Sequence, residues 1–203
     1  KQIRSNERKA DKKRELLPFY LPWVAGVLAN GKGAQDDIVM TVMLWRLDAD
    51  DIAGALEIAR YAMTWGLTMP TGRRPTPYLL AEEVALAAQR LLAAKQPVEL
   101  ANLLDTIALT ERADMPDIVR AKLHKITGYV LRDANQLPEA LAHLQRAIQL
   151  ERTIGVKKDI EQLERQLRPK PEPAPKTKTT KPRTRKPAAK PAARRGRPPK
   201  AAK

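Results

Sequence analysis

The chain has 203 residues, 43% of them apolar but only 4% aromatic, with 38 Lys or Arg against 23 Asp or Glu and no cysteine. The lack of cysteine excludes a disulfide framework and a thiolate metal site, and fits a reducing cytoplasm. No apolar run approaches the roughly 18 residues that span a bilayer, and no signal-peptide hydrophobic region is seen, so a soluble chain with no membrane partner is expected.

Residues 1–15 read as a basic N-terminal extension, with seven cations against Glu7, Asp11 and Glu15. Lys9, Lys12, Lys13 and Arg14 are its candidate DNA contacts, carried on a basic helix lying along phosphates. The alternative is a solvated helix end. Residues 16–168 are nearly neutral and long enough to bury a core. Their apolar residues recur at spacings of three and four, and Ala and Leu dominate over β-branched and aromatic residues. That pattern predicts an all-α compact helical bundle.

The run from Gly26 to Lys32 spells Gly-x-x-x-x-Gly-Lys, but Gly33 stands where a phosphate-binding loop has Ser or Thr. Residues 23–28 read as a short helix ending at Asn30-Gly31 rather than as the strand such a loop requires. Asp36 and Asp37, and further on Asp48, Asp50, Asp51 and Glu57, form two acidic clusters. Asp36, Asp37, Asp48 and Asp51 are the candidate catalytic carboxylates of a two-magnesium nuclease. The competing reading places each cluster where a helix begins, with Asp bonding free backbone N–H groups.

Breaks are expected at residues 30–33, 69–77, 96–97 and 114–116, where Gly and Pro collect. The longest carries Arg73 and Arg74 in an exposed loop, available to a phosphate or to water. Residues 122–151 resemble one tetratricopeptide-type helix pair, with Gly128 at the close approach and Ala140, Leu144 and Ala147 on the facing helix. A weaker echo has Ala55, Ala59 and Ala62 following Trp45 and the acidic loop. His124 and His143 look like ordinary helix-face residues. Leu137, Leu141, Leu144 and Ile148 form one stripe and Val156, Ile160, Leu163 and Leu167 the next, with Gly155 between them suited to a helix C-cap.

Residues 169–203 carry thirteen Lys or Arg against Glu172, with nine prolines and no aromatic residue. This composition predicts a disordered tail. Within it, Arg194, Arg195, Gly196, Arg197, Pro198 and Lys200 resemble the AT-hook of chromatin-associated proteins. Glycine lets the backbone reach the floor of a narrow A·T minor groove, with arginines running along it. Ala193 and Arg194 stand where a full hook has proline, so the match is partial, and a basic tail without sequence preference is the alternative. A neutral body with two basic ends points to double-stranded DNA as partner.

Several blocks resemble the terminase small subunit of temperate tailed phages of the peduovirus type, the GpM-like terminase endonuclease subunit. They are residues 16–24 (LLPFYLPWV), 35–48 (QDDIVMTVMLWRLD), 54–62 (GALEIARYA), 114–123 (DMPDIVRAKL) and 155–161 (GVKKDIE). The resemblance runs from about Arg8 to Leu167 and leaves the tail outside. It implies a homo-oligomeric ring that binds the packaging (cos) site of concatemeric viral DNA in the host cytoplasm. It also implies recruitment of the large ATPase subunit, with cleavage a property of the complex and no cofactor of the chain's own. Two alternatives stand beside it: a magnesium-dependent endonuclease in its own right, and a nucleoid-type protein preferring A·T-rich DNA.

Overall fold

Ala- and Leu-rich segments with apolar spacings of three and four fold as helices throughout. The computed structural model describes residues 3–72 and 74–168, and among these it has eight α-helices and no strand. They are α1 (Asn6–Asn30), α2 (Asp37–Asp48), α3 (Ile52–Trp65), α4 (Thr76–Ala93), α5 (Leu100–Thr110), α6 (Asp117–Asp133), α7 (Leu137–Leu150) and α8 (Lys157–Leu167). All eight belong to one unit that reaches Arg168. The breaks predicted from Gly and Pro fall at the α1–α2, α3–α4, α4–α5 and α5–α6 connections.

The first helix departs from expectation. The segment 23–28 is not a short helix but the end of the 25-residue α1, which runs unbroken past Glu15 and through Pro18 and Pro22. Each proline lacks the N–H that would bond four residues back, which ordinarily breaks a helix. Tertiary burial overrides this, because Leu17, Tyr20, Val24, Val27 and Leu28 lie at helical spacing against the core. The expected end at Asn30 is kept, with the Gly31 N–H bonded to the Val27 carbonyl at 2.7 Å.

Two helical hairpins organise the rest. In α2 and α3, Val39, Met40, Met43, Ala55, Leu56, Ile58, Ala59 and Ala62 are all sealed from solvent. They join Leu80 and Val84 of α4 and Leu103 of α5 in the main core. In α6 and α7 the predicted close approach is present: a Cβ on Gly128 would lie 2.7 Å from Leu144 Cδ2. Ala140, Leu144 and Ala147 are fully buried, and Ala140 and Leu144 form a second, smaller core with Leu131, Val156 and Leu163. Gly155 is left-handed at φ 81, but as the turn into α8; α7 already ends at Leu150, with Glu151 extended.

Candidate nucleic-acid interface

The basic start of α1 lies against the α2–α3 turn. Asp48 ends α2, and Asp50 follows in the left-handed region at φ 66, a conformation that Asp tolerates better than most residues. Lys13 Nζ pairs with Asp48. Arg14 donates to Asp50 Oδ2 at 3.2 Å and Asp11 Oδ1 at 2.8 Å, and its Nε reaches the Ala49 carbonyl at 3.4 Å. Arg90 of α4 comes from the other side, donating to Asp50 Oδ1 at 2.9 Å and to the Leu47 carbonyl at 2.7 Å. Two guanidinium groups thus occupy carbonyls at the negative end of α2, where cations are favoured.

A cleft of about 460 Å³ opens over this cluster, lined also by Glu7 and Lys9. Counted over its lining, four cations (Lys9, Lys13, Arg14, Arg90) meet three carboxylates (Glu7, Asp48, Asp50). Lys12 points elsewhere and pairs with Glu15 at 2.6 Å on the open surface. Nearby, Glu83 of α4 is held above the usual carboxylate range by burial and then by Asp48 and Glu82, against the opposing pull of Arg90 and Arg74.

The carboxylate candidates are separated by α2 itself. Asp36 and Asp37 sit at its start and Asp48 at its end, about 16 Å apart at the helical rise of 1.5 Å per residue. Asp36 caps α2, taking the Val39 N–H at 2.9 Å on Oδ1 and the Trp23 indole N–H at 3.0 Å on Oδ2. Asp37 accepts from Gln35 at 3.0 Å. Asp51 caps α3 through the Gly54 N–H at 2.9 Å and pairs with Arg46 at 2.8 Å. Asp36 and Asp51 thus fill the helix-start role, whereas Asp48 closes a helix instead of opening one. Among the described residues no three His, Cys, Asp or Glu side chains gather as a metal-holding group.

A family model described as "Phage small terminase subunit" matches residues 1–118, from α1 to the start of α6. The chain belongs to that family. A curated relative, the "Terminase, endonuclease subunit" of Escherichia phage P2, is 64% identical over 203 residues, covering all of this chain and 81% of that protein. The "Probable terminase, endonuclease subunit" of Haemophilus phage HP1 (strain HP1c1) is 29% identical over 170 residues, covering 75% of this chain and 60% of that protein. No solved structure matches. Because the phage P2 alignment takes in residues 169–203, the basic tail is not outside the resemblance as the sequence blocks suggested.

Within this family member, the tail candidates Arg194, Arg195, Gly196, Arg197, Pro198 and Lys200 lie outside the described residues, as does Arg73. Arg74 pairs with Glu82. The Gly26–Lys32 run belongs to α1 and the turn after it. Gly33, left-handed at φ 75, packs under the Trp65 ring and donates to the Tyr61 hydroxyl at 2.9 Å. No strand precedes it, so the phosphate-loop geometry is not formed. His124 and His143 do lie on helix faces, and they meet as a pair across α6 and α7, Nδ1 to Nδ1 at 3.1 Å. Burial, then His143, Arg146 and Arg120, push His124 down to about 4, and burial lowers His143 as well. Sequence reading also missed Arg90, which lies forty residues from Asp50 with no local signal.

No described helix is long and apolar enough to cross a membrane. Sequence reading also gave no hint that Phe19 is 78% and Trp23 53% exposed on one face of α1.

Proposed function

We propose that this small terminase subunit binds the packaging (cos) site of concatemeric phage DNA, assembles with copies of itself, and recruits and regulates the large ATPase subunit in the host cytoplasm. Cleavage then belongs to the complex, and the chain needs no cofactor of its own. The observation that carries this reading is the 64% identity to the phage P2 protein along the whole chain, basic ends included. DNA contact is assigned to those ends: Lys9, Lys12, Lys13 and Arg14 in α1, and Arg194 to Lys200 in the tail. Joining several weak phosphate contacts on one assembly raises avidity through effective concentration. Self-assembly is assigned to the exposed face of α1, where Phe19 and Trp23 stand one turn apart and Gly26 has nothing within 4 Å. A contact between this ridge and a different face of the next copy would be heterologous, the kind that closes rings.

The test is fluorescence anisotropy of the full chain and of residues 1–168 on A·T-rich, G·C-rich and cos-containing duplexes at two salt concentrations. Loss of most affinity and of any A·T preference on truncation assigns recognition to the tail. Equal affinity assigns it to the helical body and α1. No binding by either chain overturns the reading.

A second reading, endonuclease activity of the isolated chain, is favoured by the names of both relatives. It requires Asp36, Asp37, Asp48 and Asp51 to exchange the partners described above for magnesium. Incubating supercoiled cos DNA with magnesium and the chain alone, then with the large subunit added, separates the two. Cutting by the chain alone, abolished by Asp36→Asn or Asp51→Asn, would establish the second.

A further inference from the structure

An open groove of about 580 Å³ runs between α4 and α6, far in sequence from the basic start of α1. On α4 its wall is Leu86, Gln89 and Ala93, and on α6 it is Lys122, Ile126 and Tyr129, each set at spacings of three and four. These positions extend along both helices for about two turns, some 11 Å along each axis, with the buried Ile126 at the floor between them. Leu92 and Ile154 add to the apolar lining. Leu86 is 37% exposed, although its neighbour Ala85 is buried. Two adjacent helical walls with apolar side chains between them make the seat into which a third helix packs by its ridge.

Charge selects the occupant. Lys122, Lys125 and Arg132 stand on the rim against Asp133, and Asp159 lies 3.6 Å from Arg132, which leaves an excess of positive charge. Asp133 is already held by Arg132 at 3.0 Å. Arg132 also stacks over Tyr129, 4.9 Å from the ring centre, and Lys125 donates to the Ile154 carbonyl at 2.8 Å, so the rim is pre-set rather than loose. A basic rim repels this chain's own basic ends. An apolar floor gives nothing to the phosphates of DNA. An amphipathic helix with an apolar stripe and acidic flanks satisfies both features.

We propose that this groove receives an acidic amphipathic helix of the terminase large subunit, an inference that rests on the packaging role proposed above. The groove is the concave site for the motor protein, while α1 and the tail serve DNA.

The experiment measures binding of full-length wild type, Leu86→Asp and Lys122→Glu to immobilised large subunit by biolayer interferometry at low and moderate salt. Both positions are exposed, and circular dichroism verifies that each variant is folded. DNA affinity and sedimentation are followed in parallel. Leu86→Asp is expected to weaken the large-subunit complex tenfold or more. Lys122→Glu should weaken it several-fold, with the smaller effect at the higher salt. DNA affinity and assembly size should hold for Leu86→Asp. Unchanged large-subunit affinity in both variants overturns the groove while leaving the packaging role intact. A loss of DNA binding by Leu86→Asp, or a changed assembly size, overturns it in favour of a nucleic-acid or self-association face. If wild type itself fails to bind the large subunit, the packaging reading and the groove fall together.

Discussion

The start of α1 and the α6–α7 hairpin are both helix against helix, yet different forces hold them. Lys13, Arg14 and Arg90 reach Asp48 and Asp50 through partly exposed ion pairs, with Asp50 and Lys13 retaining about a quarter of their side-chain exposure. Gly128 and Leu144 meet without solvent or charge. Exposed ion pairs contribute little to stability and are screened by salt, whereas close apolar packing is costly to disturb. The first seam can exchange a carboxylate for a phosphate at small cost. The second is built to stay closed.

The largest effect should come from opening the closed seam. Leu144→Ala removes a fully buried side chain from the smaller core, and chemical denaturation should show a loss of about 3–4 kcal/mol. A loss below about 1 kcal/mol would mean that the seam collapses easily and that the contrast with α1 is weak.

Acid should attack the same hairpin. Both histidines have folded pKa values below the unfolded value near 6.5, so the unfolded chain binds more protons in between. Their contribution is whole above about pH 6.5 and is lost as pH falls through the window down to about 4, where His124 titrates when folded. The loss should be on the order of 2 kcal/mol. His124→Leu with His143→Leu should flatten this part of the pH–Tm curve, and His143→Leu alone should do so only in part, because burial of His124 persists. An unchanged curve would show that the imidazole pair does not couple to folding.

Gly128→Ala has two opposing terms: alanine favours helix by about 0.5–1 kcal/mol, and overpacking against Leu144 costs about 1–3 kcal/mol. Leu144 cannot easily retreat, because both its Cγ and Cδ2 would be closer than 3 Å to the new Cβ. A net loss near 1–2 kcal/mol is expected by thermal unfolding, and a stabilised variant would contradict the close approach.

The smallest stability change belongs to the open seam. Asp48→Asn with Asp50→Asn should alter stability by less than about 1 kcal/mol. It should nevertheless raise DNA affinity several-fold and steepen its salt dependence, because cations are unmasked. Glu161→Gln with Glu164→Gln, on the surface of α8, controls for net charge. Equal gains in the two pairs would show that Lys13 and Arg14 do not contact DNA.

Much of this was legible from neighbours in the chain. The caps at Asp36 and Asp51 involve partners three residues away, and the Gly128 contact follows from helical spacing across one short turn. Local rules were misleading at Pro18 and Pro22, where packing of the buried Val24 and four partly buried α1 side chains against the core outweighs two missing backbone bonds. The Arg90–Asp50 pair and the facing of His124 with His143 were invisible, since neither leaves a mark at short range. The α4–α6 groove was equally hidden, because its two walls come from separate helices with α5 between them.

By itself, the sequence determined the helical class, four of the breaks between helices, the segregation of positive charge to both ends and the family. These depend on local propensity, composition and motif. Only the tertiary structure decided that α1 is continuous and that the two acidic clusters stay a helix length apart. It also decided that Lys13 and Arg14 of α1 are engaged by the α2–α3 turn. Those outcomes depend on which faces meet, and that is set by the burial of apolar side chains over the whole bundle rather than by any segment alone.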